Sequence, residues 1–316
     1  MTQPCTRCRE NPSIYHRPYS GERLCQLCFT ITIKEKVRHT IARHDMLEYD
    51  SRIALGLSGG KDSIALLEIL HTLQQAHPRS TLIAISIDEG VGDYRDEALR
   101  LATQATKRLG VEHHLTSFKK LFGYSMDEIS AIPKEFNACT YCGVLRRRAL
   151  NTAAQDIDSD RLATAHNLDD MAQTALLNIL RGDTNRLSQI DPGGHNLPGF
   201  VRRIKPFAEI PEKESTLYAY LTGIQFQAIP CPYADESMRN DARGILNRLE
   251  YKRPGTKHTI YRTALKISPN FQTRKPLTNC STCGEPSSDH LCRACQLIQG
   301  LTLDPRKHTF NFQAQG

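Results

Sequence analysis

"SGGKDS", residues 58–63, stands between the apolar run "RIALGL" (52–57) and the apolar helical pattern "IALLEILHTL" (64–73). Glycines, a lysine, an acid and two hydroxyls placed between a strand and a helix make a phosphate cradle. Backbone N–H groups of the loop and the N-terminus of the next helix both face an anion there. The loop is not of the Walker type, which needs G-x-x-x-x-G-K followed at once by Ser or Thr. Leu55 stands where the first glycine would be, and Lys61 is followed by Asp62, so the hydroxyl moves to Ser63. This shorter loop cradles a triphosphate through Ser58, Gly59 and Gly60, with Lys61 as a point charge. Asp62 then organises magnesium or the loop itself.

Working outward, strands and helices alternate. Strand 52–57, loop 58–62 and a helix from Ser63 to about Gln75 are followed by strand "TLIAISI" (81–87) and helix 94–109, ended by Gly110. A short strand near 111–117 leads through an irregular segment to "CTYC", with a helix through "GVLRRRALNTAAQ" beyond it. Strand "RLATAH" (161–166), helix "LDDMAQTALLNILRG" and a Gly/Pro/Asp/Asn-rich loop at 183–200 come next. "VRRIKPF", a helical pattern at 212–222 and "IQFQAI" (224–229) close the alternation. Elements of this length argue for an α/β fold, a doubly wound parallel sheet covered on both faces. Ligands bind such sheets at the carboxyl ends of the strands, where "SGGKDS", "DEG" and "HNLDD" all fall.

The chain has 316 residues, 39% apolar and 24% charged, ordinary proportions for a globular protein. No apolar run approaches the roughly 20 residues needed to cross a bilayer, and "MTQPCTRCRE" lacks the apolar core of a signal peptide. A cytoplasmic protein without a membrane partner is expected. The net charge is +7. Residues 246–316 carry 11 Lys/Arg against 4 Asp/Glu, which accounts for the whole excess. A localised basic region suits a polyanion such as nucleic acid, and equally a solubilising tail. The expected domains are a ribbon at 1–29, a linker helix at 30–50, with Ile33, Val37 and Ile41 on one face, a catalytic domain at 51–245, and a basic C-terminal region at 246–316 with a ribbon at 280–297.

Cysteines divide into two quartets and a trio. Cys5, Cys8, Cys25 and Cys28 form two C-x-x-C knuckles, as do Cys280, Cys283, Cys292 and Cys295. Two such knuckles complete a tetrahedral sulfur site, so two structural Zn²⁺ ions are expected; disulfides are disfavoured in a reducing compartment. Cys139, Cys142 and Cys231 remain. Three thiolates leave one position open on a metal or cluster. A pair such as Cys139 with Cys231 carrying a persulfide or disulfide is a second reading, and a chance C-x-x-C with a buried core cysteine a third.

"SGGKDS" resembles the PP-loop of the ATP pyrophosphatases, which split ATP between the α and β phosphates, transfer AMP to a substrate oxygen and release pyrophosphate. The order of ribbon, PP-loop, "CTYCG", "AHNLDD", single Cys231 and second ribbon is similar, over nearly the whole chain, to the tRNA 2-thiouridine synthetases of the archaeal and eukaryotic type. "DEGVGDYRDEAL", "LFGYSMDEI", "CTYCGVLRRRAL", "LRGD" and "CSTCGEPSSDHLCRACQLIQGL" look most like the branch acting on the wobble uridine, position 34, rather than on position 54 of the T-loop. Ala165-His166 departs from the usual Gly-His; alanine is small enough to leave nucleotide binding intact.

The resemblance implies an adenine nucleotide α-hydrolase-like fold and adenylation of the uridine C2 oxygen, followed by attack of sulfur. ATP with Mg²⁺ falls to Gly56, Ser58, Gly59, Gly60, Lys61, Asp62 and Ser63, with Ile87 near adenine and the Ala165 backbone beside the nucleotide. Arg146 and Asp170 take nucleotide-contacting or catalytic positions, although by residue type alone they read equally as an exposed helix charge and a helix-start acid. It also implies a [4Fe–4S] cluster on Cys139, Cys142 and Cys231, whose fourth iron presents hydrosulfide; persulfide chemistry on the same cysteines is the alternative. Implied partners are tRNA, held by the ribbons and by "EYKRPGTKHTIYR" (250–262), a ubiquitin-like thiocarboxylated carrier or free sulfide, and a second copy or paralogous subunit. A zinc-ribbon RNA scaffold with a decayed PP-loop and an amide-forming PP-loop ligase are the competing classes.

Overall fold

An antiparallel hairpin, β1 (Tyr15–Arg17) and β2 (Glu22–Leu24), leads into helix α1 (Gln26–Arg43). The computed structural model describes residues 3–233, 238–271 and 277–301. Helix α1 starts inside the second knuckle: Cys25 is its N-cap, and the Cys25 sulfur accepts from the Cys28 N–H at 3.5 Å. Ile33 and Val37 are fully buried and Ile41 partly so, one helix face against the domain behind.

Five parallel strands follow: β3 (Arg52–Gly56), β4 (Thr81–Asp88), β5 (Glu112–Ser117), β6 (Arg161–Ala163) and β7 (Arg202–Ile204). Helices α2 (Lys61–Gln75), α3 (Tyr94–Leu109), α4 (Phe118–Phe122), α5 (Met126–Ala131), α6 (Ala138–Asp156), α7 (Leu168–Leu180) and α8 (Thr184–Leu187) lie between them in the chain. After β7 come α9 (Glu212–Leu221), α10 (Met238–Lys252) and α11 (Thr256–Ile267). The second ribbon contributes β8 (Thr278–Asn279), β9 (Pro286–Ser287) and α12 (Arg293–Leu301).

The strands alternate sides as a pleat requires. Ile53, Leu55 and Leu57 join one core with α1, α2 and α9, while Ala54, Ile85 and Ile87 join the other with α6 and α12. Each fully buried Ile or Leu contributes about 1.5–3 kcal/mol, so the sheet is stable only with both layers present. Strand order is β5-β4-β3-β6-β7. The chain steps from β3 outward to β5, then returns to the far side of β3 as β6. The carboxyl ends of β3 and β6 are therefore the topological switch point, where a crevice opens.

Several local expectations change. Helix α2 begins at Lys61, with Gly60 as N-cap, so Lys61 and Asp62 belong to its first turn. Cys139 and Cys142 are also helical: Asn137 caps α6, its side chain accepting from the Thr140 N–H, and the helix starts at Ala138 rather than at Gly143. The 183–200 loop contains α8. "IQFQAI" forms no strand; the Gln227 N–H donates to the Gly59 carbonyl at 3.1 Å, so this segment lies on the 58–63 loop instead of the sheet edge. Within the basic region, Lys257 is only 9% exposed and is ion-paired to Asp169, which makes it structural, while Tyr251 is 90% exposed. Positions 272–276 and 302–316 of that region lie outside the described residues. No described helix is long and apolar enough to cross a membrane.

Both ribbons are locked by ion pairs to helices that cover the sheet. Arg17, 1% exposed, donates to the two oxygens of Glu214 on α9 at 2.9 and 3.1 Å, and Glu214 is fully buried. Tyr19 adds a 2.6 Å hydrogen bond and Lys36 a 3.5 Å contact to the same carboxylate. Arg148 on α6 pairs with Glu285 of the second ribbon, and the Arg293 guanidinium lies 4.7 Å from the centre of the Phe136 ring. Removing one member of a buried pair strands the other charge, at about 3–5 kcal/mol. Glu214→Ala is expected to lower the free energy of urea unfolding by about that amount, whereas an unchanged midpoint would show that the ribbon is held by other contacts.

Candidate active site

At the end of β3 the loop turns through Gly59, whose φ is +85°. A Cβ there would lie 2.2 Å from the Ala98 carbonyl oxygen of α3, so only glycine fits. Ser63 ties the loop to its helix: its Oγ donates to the Gly60 carbonyl at 2.9 Å and accepts from Ser58 N–H at 3.2 Å and Ser58 Oγ at 3.1 Å. Gly60 N–H donates to Ser58 Oγ at 3.3 Å. The Lys61 ammonium lies 2.8 Å from Asp62 and 3.4 Å from Glu212. Burial alone would depress the lysine, but these two carboxylates outweigh it and hold its pKa above the ordinary value. Asp62 Oδ1 is buried without a hydrogen-bond partner among the described residues. An orphaned carboxylate oxygen beside a helix N-terminus fits a cation carried with a polyphosphate.

The facing wall comes from the start of α7. Asn167 and Asp170 form a capping box, with hydrogen bonds of 3.1 and 3.2 Å, and the Asn167 amide reaches Asp62 Oδ2 at 3.3 Å. The other oxygen of Asp170 takes Arg239 of α10 at 3.0 Å. Ala165 is partly buried at the end of β6, and Gly56 ends β3 with the Leu150 side chain 3.4 Å from where its Cβ would be. Ile87 is 3% exposed in the core, and its carbonyl accepts from Arg95 at 2.9 Å.

The three spare cysteines meet on the α6 side of the same cleft. Cys139 Sγ donates to the carbonyl of Tyr233 at 3.0 Å, two residues beyond Cys231. Arg146, one turn after Cys142, donates to Cys142 Sγ at 3.2 Å. Burial pushes the Cys142 thiol up; Arg146 opposes this, and Glu89, Cys231 and Cys139 add to it. Cys142 is therefore within electrostatic reach of both other cysteines, although Cys231 lies about ninety residues farther along the chain. Among the described residues, only the two quartets bring all their ligand atoms within 4.8 Å of one another, and this trio is spread more widely. A polynuclear cluster, which takes each thiolate on a different iron, suits that wider set.

Glu89 joins the two halves. Its side chain, 5% exposed, binds Arg95 at 2.7 Å through one oxygen and Arg146 at 2.7 Å through the other. Arg95 continues to the Ser58 carbonyl at 2.6 Å. Glu89 raises the Arg146 pKa further above its usual range, so the guanidinium beside Cys142 stays charged. Arg95 and Arg239 were not singled out in the sequence, and Glu89 and Asn167 only as members of "DEG" and "HNLDD". "DEG" at the end of β4 and the Asn-x-x-Asp cap pattern were the available signals.

Each quartet gathers four sulfurs within 4.8 Å. Cys8 and Cys25 are 3.9 Å apart, Cys283 and Cys292 3.7 Å. A tetrahedral ion with sulfur bonds of about 2.3 Å spaces its ligands by about 3.8 Å, so both sets fit one. A hydrogen bond from Cys295 leads in holding Cys292 down to about 5, while burial leads in pushing Cys283 up to about 12. Four thiols sharing protons in this way have room for a dication.

Residues 30–249 match the PP-loop domain family, and residues 5–30 match the N-terminal LIM domain of the 2-thiouridine synthetase TtuA. Cytoplasmic tRNA 2-thiolation protein 1 of Candida glabrata is 35% identical, over 95% of this chain and 87% of its own length. The tRNA 2-thiolation protein NcsA of Haloferax volcanii is 33% identical, over 94% of this chain and 98% of its own. The solved U34-tRNA thiolase NcsA from Methanococcus maripaludis, with its [4Fe-4S] cluster, superposes with a TM-score of 0.85 at 36% identity, covering 95% of this chain and 97% of that one.

The loop geometry makes a differential prediction. Gly110, at φ +66°, has open space where a Cβ would go, unlike Gly59. Alanine at either position pays about 1–2 kcal/mol for the left-handed backbone. Gly59→Ala must in addition displace the α3 carbonyl, so its loss of stability in urea titration is expected to exceed that of Gly110→Ala. Equal losses would mean that the loop is free to move away from α3.

Proposed function

Since the chain belongs to the PP-loop family and, within it, to the tRNA 2-thiolation proteins, we propose that it is an ATP-dependent tRNA-uridine 2-sulfurtransferase acting on the wobble uridine. The observation that carries this reading is the convergence of Cys139, Cys142 and the Cys231 segment on the cleft that holds the PP-loop, coupled through Arg95, Glu89 and Arg146. A scaffold or an amide-forming ligase has no use for that trio.

Ser58, Gly59 and Gly60 take the ATP phosphates on the helix N-terminus, and Lys61 stabilises the charge that develops as the α–β bond breaks. Asp62 would hold Mg²⁺ through its orphaned oxygen. Asp170 acts through position: it fixes the start of α7, and hence the Asn167 amide on Asp62. The uridine C2 oxygen receives AMP, which turns a poor leaving group into a good one; sulfur then attacks C2 and AMP departs. Cys139, Cys142 and Cys231 would hold a [4Fe–4S] cluster, which would supply a place to bind inorganic sulfide. Arg146 keeps a positive charge beside that sulfur-bearing end of the cleft. The two quartets hold structural Zn²⁺, and the ribbons with the exposed part of 250–262 grip the tRNA. Sulfide or a thiocarboxylated carrier is the sulfur source, and the reaction runs in the cytoplasm. The PP-loop unit at 51–245 is the catalytic domain.

The test is anaerobic incubation of the full chain with tRNA, ATP and sulfide, followed by mass analysis of nucleosides. 2-Thiouridine is expected in step with AMP and pyrophosphate. Lys61→Ala should lower the rate on the order of 10²–10³-fold, and serine at Cys139, Cys142 or Cys231 should abolish thiolation. Undiminished thiolation with all three cysteines replaced would overturn the reading.

A further inference from the structure

Beyond Arg146, a second group of cations lines the cleft where β6 and β7 end. β6 and β7 are paired with Ala163 opposite Ile204, and the Thr164 N–H continues the ladder to the Ile204 carbonyl at 2.9 Å. His166 and Lys205, just beyond these positions, therefore leave the same sheet edge as neighbours. Arg203 of β7 donates through Nη2 to the Arg147 carbonyl of α6 at 2.6 Å, which fixes that guanidinium against the helix. His166 meets the Thr164 hydroxyl at 2.9 Å. Among the described residues, neither the Arg147 nor the Lys205 side chain has a hydrogen-bond acceptor or ion-pair partner.

The electrostatics agree with that geometry. Burial, then Arg203, pushes Lys205 down to about 8, with Asp191 opposing weakly. Burial, then Arg147, pushes Arg203 down to about 10. Desolvation, followed by Lys205, Arg239, Arg203 and Arg147, lowers the His166 pKa, so it is neutral near pH 7 although the residue is exposed. Like charges that outnumber their counter-charges cost stability unless a ligand brings the opposite sign. That ligand is an anion. The ATP phosphates have their own seat on the first turn of α2, and the contact of Asn167 with Asp62 places this second seat one strand farther along the sheet edge.

We propose that Arg147, Arg203 and Lys205 form a phosphodiester subsite that holds the RNA backbone beside the target nucleotide. The proposal rests on the thiolation reading above. A base that reacts at C2 must leave its stack to reach the cleft, and phosphate contacts are what set the register of the strand while it does so.

The experiment titrates the full, anaerobically purified chain with an unmodified tRNA transcript and, separately, with ATP, across a range of salt. Arg147→Gln, Arg203→Gln and Lys205→Gln are each expected to weaken tRNA binding several-fold and to reduce the slope of log affinity against log salt by about one, with ATP affinity unchanged. Lys205→Arg and Arg203→Lys should restore both. Arg203 also anchors α6, so if its variant fails to fold, the Arg147 and Lys205 variants carry the test. Loss of ATP affinity with an unaltered tRNA slope would assign the cations to the nucleotide and overturn the proposal; so would unchanged binding of both. A wild-type chain that shows the predicted tRNA dependence but makes no 2-thiouridine overturns the reaction and leaves the subsite standing. Variants that bind tRNA like wild type, in a chain that does thiolate, overturn the subsite alone.

Discussion

One buried carboxylate sets the geometry of the cleft. Glu89, 4% exposed, lies between two guanidiniums, and among the described residues neither Arg95 nor Arg146 has another carboxylate as close. Arg95 carries the connection to the backbone of the phosphate loop, and Arg146 carries it to Cys142. Phosphate seat and thiols thus share a counter-charge, and the position of one fixes the position of the other. A charge taken out of water is tolerable only when paired in this way on both sides. The arrangement also explains why the loop needs no Walker-type length: α3 and Arg95 brace it from behind.

Helix α6 is the mechanical counterpart of that charge network. Its first turn presents Cys139 and Cys142, its next turn Arg146 and Arg147, and Arg148 reaches back to Glu285 of the second ribbon. The first ribbon is clamped to α9 through Arg17 and Glu214, and α9 itself opens with Glu212, which meets Lys61. Each metal-type quartet therefore sits on an element that also bears a residue of the cleft. A quartet pulled apart would loosen more than its own hairpin.

Much of this was legible from residue order alone, and the reasons are physical. Strand–loop–helix alternation with "SGGKDS" after an apolar run dictated the parallel sheet and the position of the crevice, because hydrophobic period and turn chemistry are local properties. Paired C-x-x-C spacing dictated the quartets for the same reason. The helical state of Cys139 and Cys142 was hidden, since the Asn137 cap acts one residue before a stretch without a strong helical period. "IQFQAI" alternates like a strand, yet its backbone bonds to Gly59, a tertiary choice that no local pattern records. Glu89 and Arg95 were visible only as charges near a strand end; their partners lie across the fold. Lys257 looked like part of a basic surface until Asp169, 88 positions away, turned out to pair with it.

The central claim is that Cys139, Cys142 and Cys231 act as one set in the adenylation cleft. Its most direct test is iron, acid-labile sulfide and zinc per chain in protein purified under strict anaerobiosis. The account predicts about four irons and as many sulfides per chain, lost on replacing any one of the three cysteines while zinc remains. Zinc without iron, in protein that still thiolates tRNA, would contradict the cluster and leave persulfide chemistry on the same sulfurs.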